Sequence, residues 1–123
     1  MARSLLSVVE LGGYPSFVAR YQAAGFEVVG ATSLRQALAA VKRRAPDVVV
    51  AEFNFQSDFR DRTSNLESLL ATLQARAPGA RVIVFYEPQH RPHLERLQAR
   101  FPLFATLPFP IDEAALSDAL GRA

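Results

Sequence analysis

Cysteine is absent from the 123-residue chain, and so is tryptophan. Without cysteine there is no disulfide scaffold, no thiol nucleophile and no thiolate metal site. No apolar run approaches the roughly 20 residues that cross a bilayer. The opening Met1-Ala2-Arg3-Ser4-Leu5-Leu6-Ser7 meets an acid at Glu10 before the core of a signal peptide would form, so the sequence predicts a soluble, cytoplasmic protein with no membrane contact. An excess of either charge is missing too: 14 Lys+Arg against 12 Asp+Glu leave a formal +2, and thirteen of the basic residues are Arg spread along the chain. That is too little for the basic stripe of a nucleic-acid binder, and no direct nucleic-acid contact is expected.

Phosphate-cradling glycines are also missing. The one glycine pair is Gly12-Gly13, and neither G-x-G-x-x-G nor a P-loop occurs, so no nucleotide cofactor is expected. No serine sits in a nucleophile elbow, which leaves hydrolase chemistry without a foothold. His90 and His93 stand three apart beside Arg91 and Pro92. With no carboxylate cluster or cysteine to join them, they read as a solvated helix start rather than a metal face. The sequence therefore predicts no catalytic residue, no metal site and no enzyme.

What is present is a core. Half of the residues are hydrophobic and 21% are charged, which suits one ordinary globular domain spanning 1–123. Five short apolar runs, Leu5–Leu11, Phe26–Ala31, Asp47–Phe53, Arg81–Tyr86 and Leu103–Leu107, alternate with helix-like segments. Val48-Val49-Val50-Ala51 and Val82-Ile83-Val84-Phe85 are continuous rather than alternating, as in strands covered on both faces of a parallel sheet. The helical signals follow each run. Pro15 opens a first helix with Phe17, Val18, Tyr21 and Ala24 on one stripe and Gly25 at its end. Ser33 and Gln36 form a capping box ahead of Leu34, Ala37, Leu38 and Val41, and Ser64 with Glu67 repeats that spacing ahead of Leu66, Leu69, Leu70 and Leu73. Pro92 starts a helix bearing Leu94, Leu97 and Phe101, and Asp112 caps the last, which turns Leu116, Ala119 and Leu120 inward. Five βα units are too few for the eight-stranded barrel, so the pattern predicts a doubly wound α/β domain: an open, five-stranded parallel sheet in the flavodoxin-like order 2-1-3-4-5. Any site then falls at the carboxyl ends of the strands, at Glu10, Glu52, Tyr86 and Leu107.

The stretch Gly25-Phe26-Glu27-Val28-Val29-Gly30-Ala31, then Gln36-Ala37-Leu38, Val41 and Pro46-Asp47-Val48-Val49-Val50-Ala51-Glu52, resembles the middle of a CheY-like receiver domain of the two-component response regulators. Phe104-Ala105-Thr106-Leu107-Pro108-Phe109, followed by Asp112 and Leu116, resembles that family's last strand and its Lys-Pro-Phe turn. The resemblance spans nearly the whole chain. It implies phosphorelay signal transduction, with an acceptor Asp after the third strand, an acidic pair holding Mg²⁺ after the first, a Thr or Ser after the fourth and a Lys after the fifth.

Each of those parts departs from the family's pattern here. The acceptor position is Glu52, whose extra methylene moves the carboxylate by roughly an ångström. The acidic pair is reduced to Glu10 beside Leu11, a poor set for Mg²⁺. Tyr86 takes the hydroxyl position, where its bulk is expected to fill the phosphoryl pocket and its phenol to donate to Glu52, and Leu107, before Pro108, takes the lysine position. The expectation is a pseudo-receiver: a phosphorylation-independent module of a bacterial response regulator that acts by protein–protein contact and needs no cofactor. Two alternatives stay open, a receiver phosphorylated in a non-standard way at Glu52, and the N-terminal control module of a longer transcription factor or signalling enzyme. The segment 54–63 is longer than the family's loop, and its Phe55 and Phe59 are expected to fold over the vestigial pocket or to meet a partner. The resemblance also implies an interface on the fourth helix, fifth strand and fifth helix, for which Phe101, Leu103, Phe104, Arg96, Arg100 and Asp118 are the candidates, with a twofold homodimer as one use of it.

Overall fold

The computed structural model describes residues 3–9, 17–53 and 66–123. Five strands, β1 (Arg3–Val8), β2 (Phe26–Ala31), β3 (Val48–Glu52), β4 (Arg81–Tyr86) and β5 (Ala105–Pro108), form one parallel sheet in the order 2-1-3-4-5. Helices α1 (Val18–Ala23), α2 (Leu34–Arg43), α3 (Glu67–Arg76), α4 (Arg91–Arg100) and α5 (Glu113–Arg122) make the connections, and a 3-10 turn at Pro88–His90 leads into α4. Among the described residues, no helix is long and apolar enough to cross a membrane.

Burial follows strand position. All five residues of β3 are buried, as are all but the first of β1 and β4, whereas the edge strands β2 and β5 keep exposed residues. The continuous apolar runs therefore occupy the centre of the sheet, where both faces are covered. One core lies against α2, α3 and α4 and contains Leu6, Val8, Val49, Ala51, Val84, Leu69 and Leu97. The other lies against α1 and α5 and contains Leu5, Val48, Val50, Ile83, Phe85, Tyr21 and Leu116.

Asp47 sets the register of the three central strands. Its carboxylate accepts from the Ser4 N–H (2.8 Å), its own N–H donates to the Ser4 carbonyl (3.0 Å), and its carbonyl accepts from the Arg81 N–H (3.0 Å). One residue thus ties the starts of β1, β3 and β4.

Several boundaries shift from those the sequence predicts. β1 begins at Arg3 and stops at Val8, and β5 begins at Ala105 rather than Leu103. Helix α1 starts only at Val18, with Phe17 at the cap, while Pro15 lies outside the described residues. Phe17 and Tyr21, four apart, are buried; Val18 is turned by about 100° from that line and is 37% exposed, and Ala24 is past the helix end. Gly25 ends α1 at φ +93°, a left-handed conformation that a side chain disfavours. The Ser33 cap accepts from the Gln36 N–H (3.1 Å), but the Gln36 carbonyl reaches back to the N–H and hydroxyl of Thr32 rather than to Ser33. The second capping box rests on Ser64, which lies outside the described residues; within them α3 runs from Glu67, after Leu66. The Glu67 carboxylate accepts from Arg100 of α4 at 2.6 Å.

Candidate functional site

Side chains alternate across a strand, and that parity sorts the carboxyl ends of the strands. Glu52, two residues after Val50, falls on the α1/α5 side of the sheet and is 2% exposed. Parallel registry sets Phe85 beside it on β4 and Leu107 beside Phe85 on β5. Leu107 is therefore two strands from Glu52, about 10 Å. A lysine at this position would span that gap; the leucine ends in the core at 8% exposure.

Tyr86 has the opposite parity. It is buried against α3 and α4, its hydroxyl accepts from the Arg91 guanidinium (2.5 Å), and the same guanidinium lies 5.4 Å from the ring centre. Its expected placement in the Glu52 pocket is corrected: the β4 residue that faces Glu52's side is Phe85. Strand alternation counted from Ile83 would have revealed this, but matching by family position did not. Pro108, paired in register with Tyr86, is exposed at the end of β5. Glu10, Phe55 and Phe59 lie outside the described residues.

Beneath α1, at the ends of β1 and β3, is a cavity of ≈ 260 Å³ lined chiefly by Ser7, Phe17, Tyr21, Val50, Glu52 and Phe85. Phe17 and Phe85 meet edge to face at 5.8 Å between centres. Burial pushes the Tyr21 phenol well above its ordinary pKa, so it stays neutral across the physiological range. Ser7 and Tyr21 were not singled out as site residues from sequence, because each reads equally well as part of a strand or a helix stripe.

The residues after the fourth helix divide between core and surface. Phe101 caps α4 and is buried in the α2–α4 core, with the Arg100 guanidinium 5.3 Å from its ring; Arg100 also bonds Glu67. Leu103 and Phe104 are half-buried, and the Phe104 ring is flanked by Arg81 (5.4 Å) and Arg122 (6.0 Å). Asp118 pairs with Arg122 at 3.0 Å, and Arg96 is exposed. His90 and His93 are half-buried rather than solvated, with ring centres 6.5 Å apart.

Receiver chemistry elsewhere uses Mg²⁺, which needs near-octahedral oxygen coordination with one or two well-placed carboxylates. Among the described residues, Glu52 is the one carboxylate in the cavity, and no group of three His, Cys, Asp or Glu residues is placed to hold a metal ion. The described donor set does not fit a resident Mg²⁺.

No family model matches the sequence, and no curated protein matches it. Solved structures do match its fold. The signal receiver domain of an HD domain-containing protein from Pseudomonas fluorescens Pf-5 superposes with a TM-score of 0.76 at 18% identity, over 100% of this chain and 94% of that one. A CheY-like response regulator receiver domain from Methylobacillus flagellatus gives 0.75 at 22% identity, over 99% and 98%. The receiver domain of a sensor histidine kinase from Pseudomonas aeruginosa PAO1, with a magnesium ion in its active-site cleft, gives 0.71 at 17% identity, over 99% and 97%. The chain has the fold of the response regulator receiver domains.

Proposed function

We propose that this chain is a phosphorylation-independent receiver module of a bacterial, cytoplasmic signalling pathway, acting by protein–protein contact rather than by catalysis. The observation that carries the reading is the row Glu52, Phe85, Leu107 across three adjacent strands. Phosphoryl transfer to a carboxylate develops charge that must be met by cations and fixed donors. Here the acceptor position holds a buried, lengthened carboxylate, and the next two residues on its face are a phenylalanine and a leucine. The Tyr86 hydroxyl is committed to Arg91 on the other side of the sheet. Output then falls to the surface, where Arg96, Leu103 and Phe104 on the face of α4, β5 and α5 are the accessible candidates for a protein partner or a second copy.

The test is an NMR titration of the chain with Mg²⁺ and then beryllofluoride, which mimics a phosphoryl group on a carboxylate. The expected result is no saturable change at Glu52, Phe85 or Leu107. Saturable shifts at Glu52 that spread to Phe104 would instead establish a receiver phosphorylated at a glutamate. The domain is also compatible with service as the N-terminal control module of a longer regulator, and sequencing the gene past Ala123 decides that.

A further inference from the structure

At the amino end of the sheet, where α2 finishes beside the outer strand β2, a cleft of ≈ 140 Å³ is lined chiefly by Leu6, Val29, Ala40, Pro46, Arg43 and Arg44. Every lining residue belongs to the stretches 4–6 and 29–46, all of them described. Leu6 and Val29 are register partners in β1 and β2 and so share one face of the sheet. Ala40 of α2 brings only a methyl group to the same cleft, and Val29 is left 42% exposed. Ala40 and Arg43, three apart, lie on one side of α2, and Arg44 follows at its cap. With Lys42 before them, three consecutive basic residues border an apolar cleft. Lys42 and Arg43 make no ion pair with a described residue, and Arg44 meets Glu27 only at 3.7 Å with both side chains mostly exposed. An exposed pair of that kind contributes little and yields to a better-placed carboxylate. Cations in a last turn complement the helix dipole, which accounts for their place along α2 but not for the apolar cleft beside them.

We infer that this cleft docks an acidic segment of a partner protein, whose leucine or isoleucine side chain enters the cleft while flanking Asp or Glu carboxylates meet Arg43 and Arg44. Size sets the kind of ligand. Pockets for free small molecules run to roughly 300–1,000 Å³, whereas a cavity of about 150 Å³ accepts benzene, so ≈ 140 Å³ suits one side chain of a larger partner. Charge sets its neighbours, because a guanidinium binds a carboxylate through two parallel hydrogen bonds. A nucleic acid would meet the arginines but brings no branched aliphatic group to Leu6 and Val29. The cleft is separate from the face of α4, β5 and α5, so the inference adds a contact to the signalling reading and stands whether or not that face or Glu52 is used.

The experiment is an NMR titration of the isotope-labelled chain with a capped peptide that holds one leucine between two pairs of aspartates. Two further peptides run in parallel, one with the leucine replaced by alanine and one with the aspartates replaced by asparagines. The first peptide is expected to bind saturably, shifting Val29, Ala40, Arg43 and Arg44, and to bind roughly fivefold or more tightly than either of the others. Its affinity is expected to fall between about 0.05 and 0.5 M salt. Arg43→Glu, at an exposed position, is expected to remove the advantage of aspartate over asparagine, and Val29→Asn that of leucine over alanine. No saturable binding, equal affinity of the leucine and alanine peptides, shifts confined to α4, β5 and α5, or a single-stranded oligonucleotide that binds the same residues more tightly than the peptide each overturns the inference. Should either variant fail to fold by circular dichroism, the three-peptide comparison on the unmodified chain decides it.

Discussion

Tyr21 couples the buried site to solution pH. In the unfolded chain its phenol ionises near about 10, whereas in the folded chain burial holds it protonated to well above that value. Above pH 10 the folded state therefore keeps a proton that the unfolded state has released. The stabilisation is fully present below the unfolded pKa and is lost as pH rises toward the folded one, at about 1.4 kcal/mol per pH unit for one group. Urea unfolding at about pH 9, 10 and 11 is expected to show this slope, and Tyr21→Phe to be flatter by that amount. An unchanged slope in the variant would mean that Tyr21 ionises in the fold as it does in the unfolded chain. Asp47 acts at the opposite end of the sheet. Asp47→Ala removes the carboxylate that holds the Ser4 N–H, and a loss of about 1–2 kcal/mol in unfolding free energy is expected, with Asp47→Asn recovering part of it. A variant within about 0.3 kcal/mol of the parent would show that the two backbone bonds suffice without the side chain.

The helices differ in how their starts are secured, and so in what their loss costs. Helix α2 carries a side-chain cap at Ser33, so Ser33→Ala should destabilise the domain by about 1 kcal/mol in chemical unfolding. At the start of α3 the Leu66 side chain forms no cap, and Glu67 of its first turn pairs with Arg100. Arg100 is largely exposed, so Arg100→Ala should cost less than about 1 kcal/mol, part of it packing on Phe101. The reverse ranking would mean that the α3–α4 pair, not the cap, carries the local stability. The elements themselves were readable in sequence because their signals are local. The limits of β2 and β4 are those of the runs Phe26–Ala31 and Arg81–Tyr86, and the βα alternation pointed to a parallel sheet, for which five units made the flavodoxin-like order the natural choice. The Glu67–Arg100 pair was not readable, because its partners are 33 residues apart. The same limit applied at the site. Glu52 and Leu107 follow from position, but the direction in which Tyr86 points depends on strand parity, and the cavity depends on where α1 lies across Ser7 and Val50, which no local pattern encodes.

Two cores on opposite faces of one sheet make the domain a single cooperative unit, since β3 and β4 contribute side chains to both. One surface open to association is the edge beyond β5. There Phe104 lies between Arg81 and Arg122, and the one acid paired with them is Asp118, on Arg122. A twofold dimer through this face would set each patch against its own copy, and the excess of positive charge would oppose it. Salt screens such exposed charges within about 8 Å at 0.15 M. A homodimer on this face is therefore expected to tighten as salt rises, whereas an acidic protein partner would loosen. Analytical ultracentrifugation at about 0.05 and 0.5 M salt reads the sign directly. Phe104→Asp should return a dimer to monomer, because it buries a charge at the centre of the contact, while Val29→Asp on the far edge strand β2, 42% exposed, should not. A dimer that weakens with salt, or that Val29→Asp dissociates and Phe104→Asp does not, would place self-association elsewhere and leave the arginine-rich face to an acidic partner.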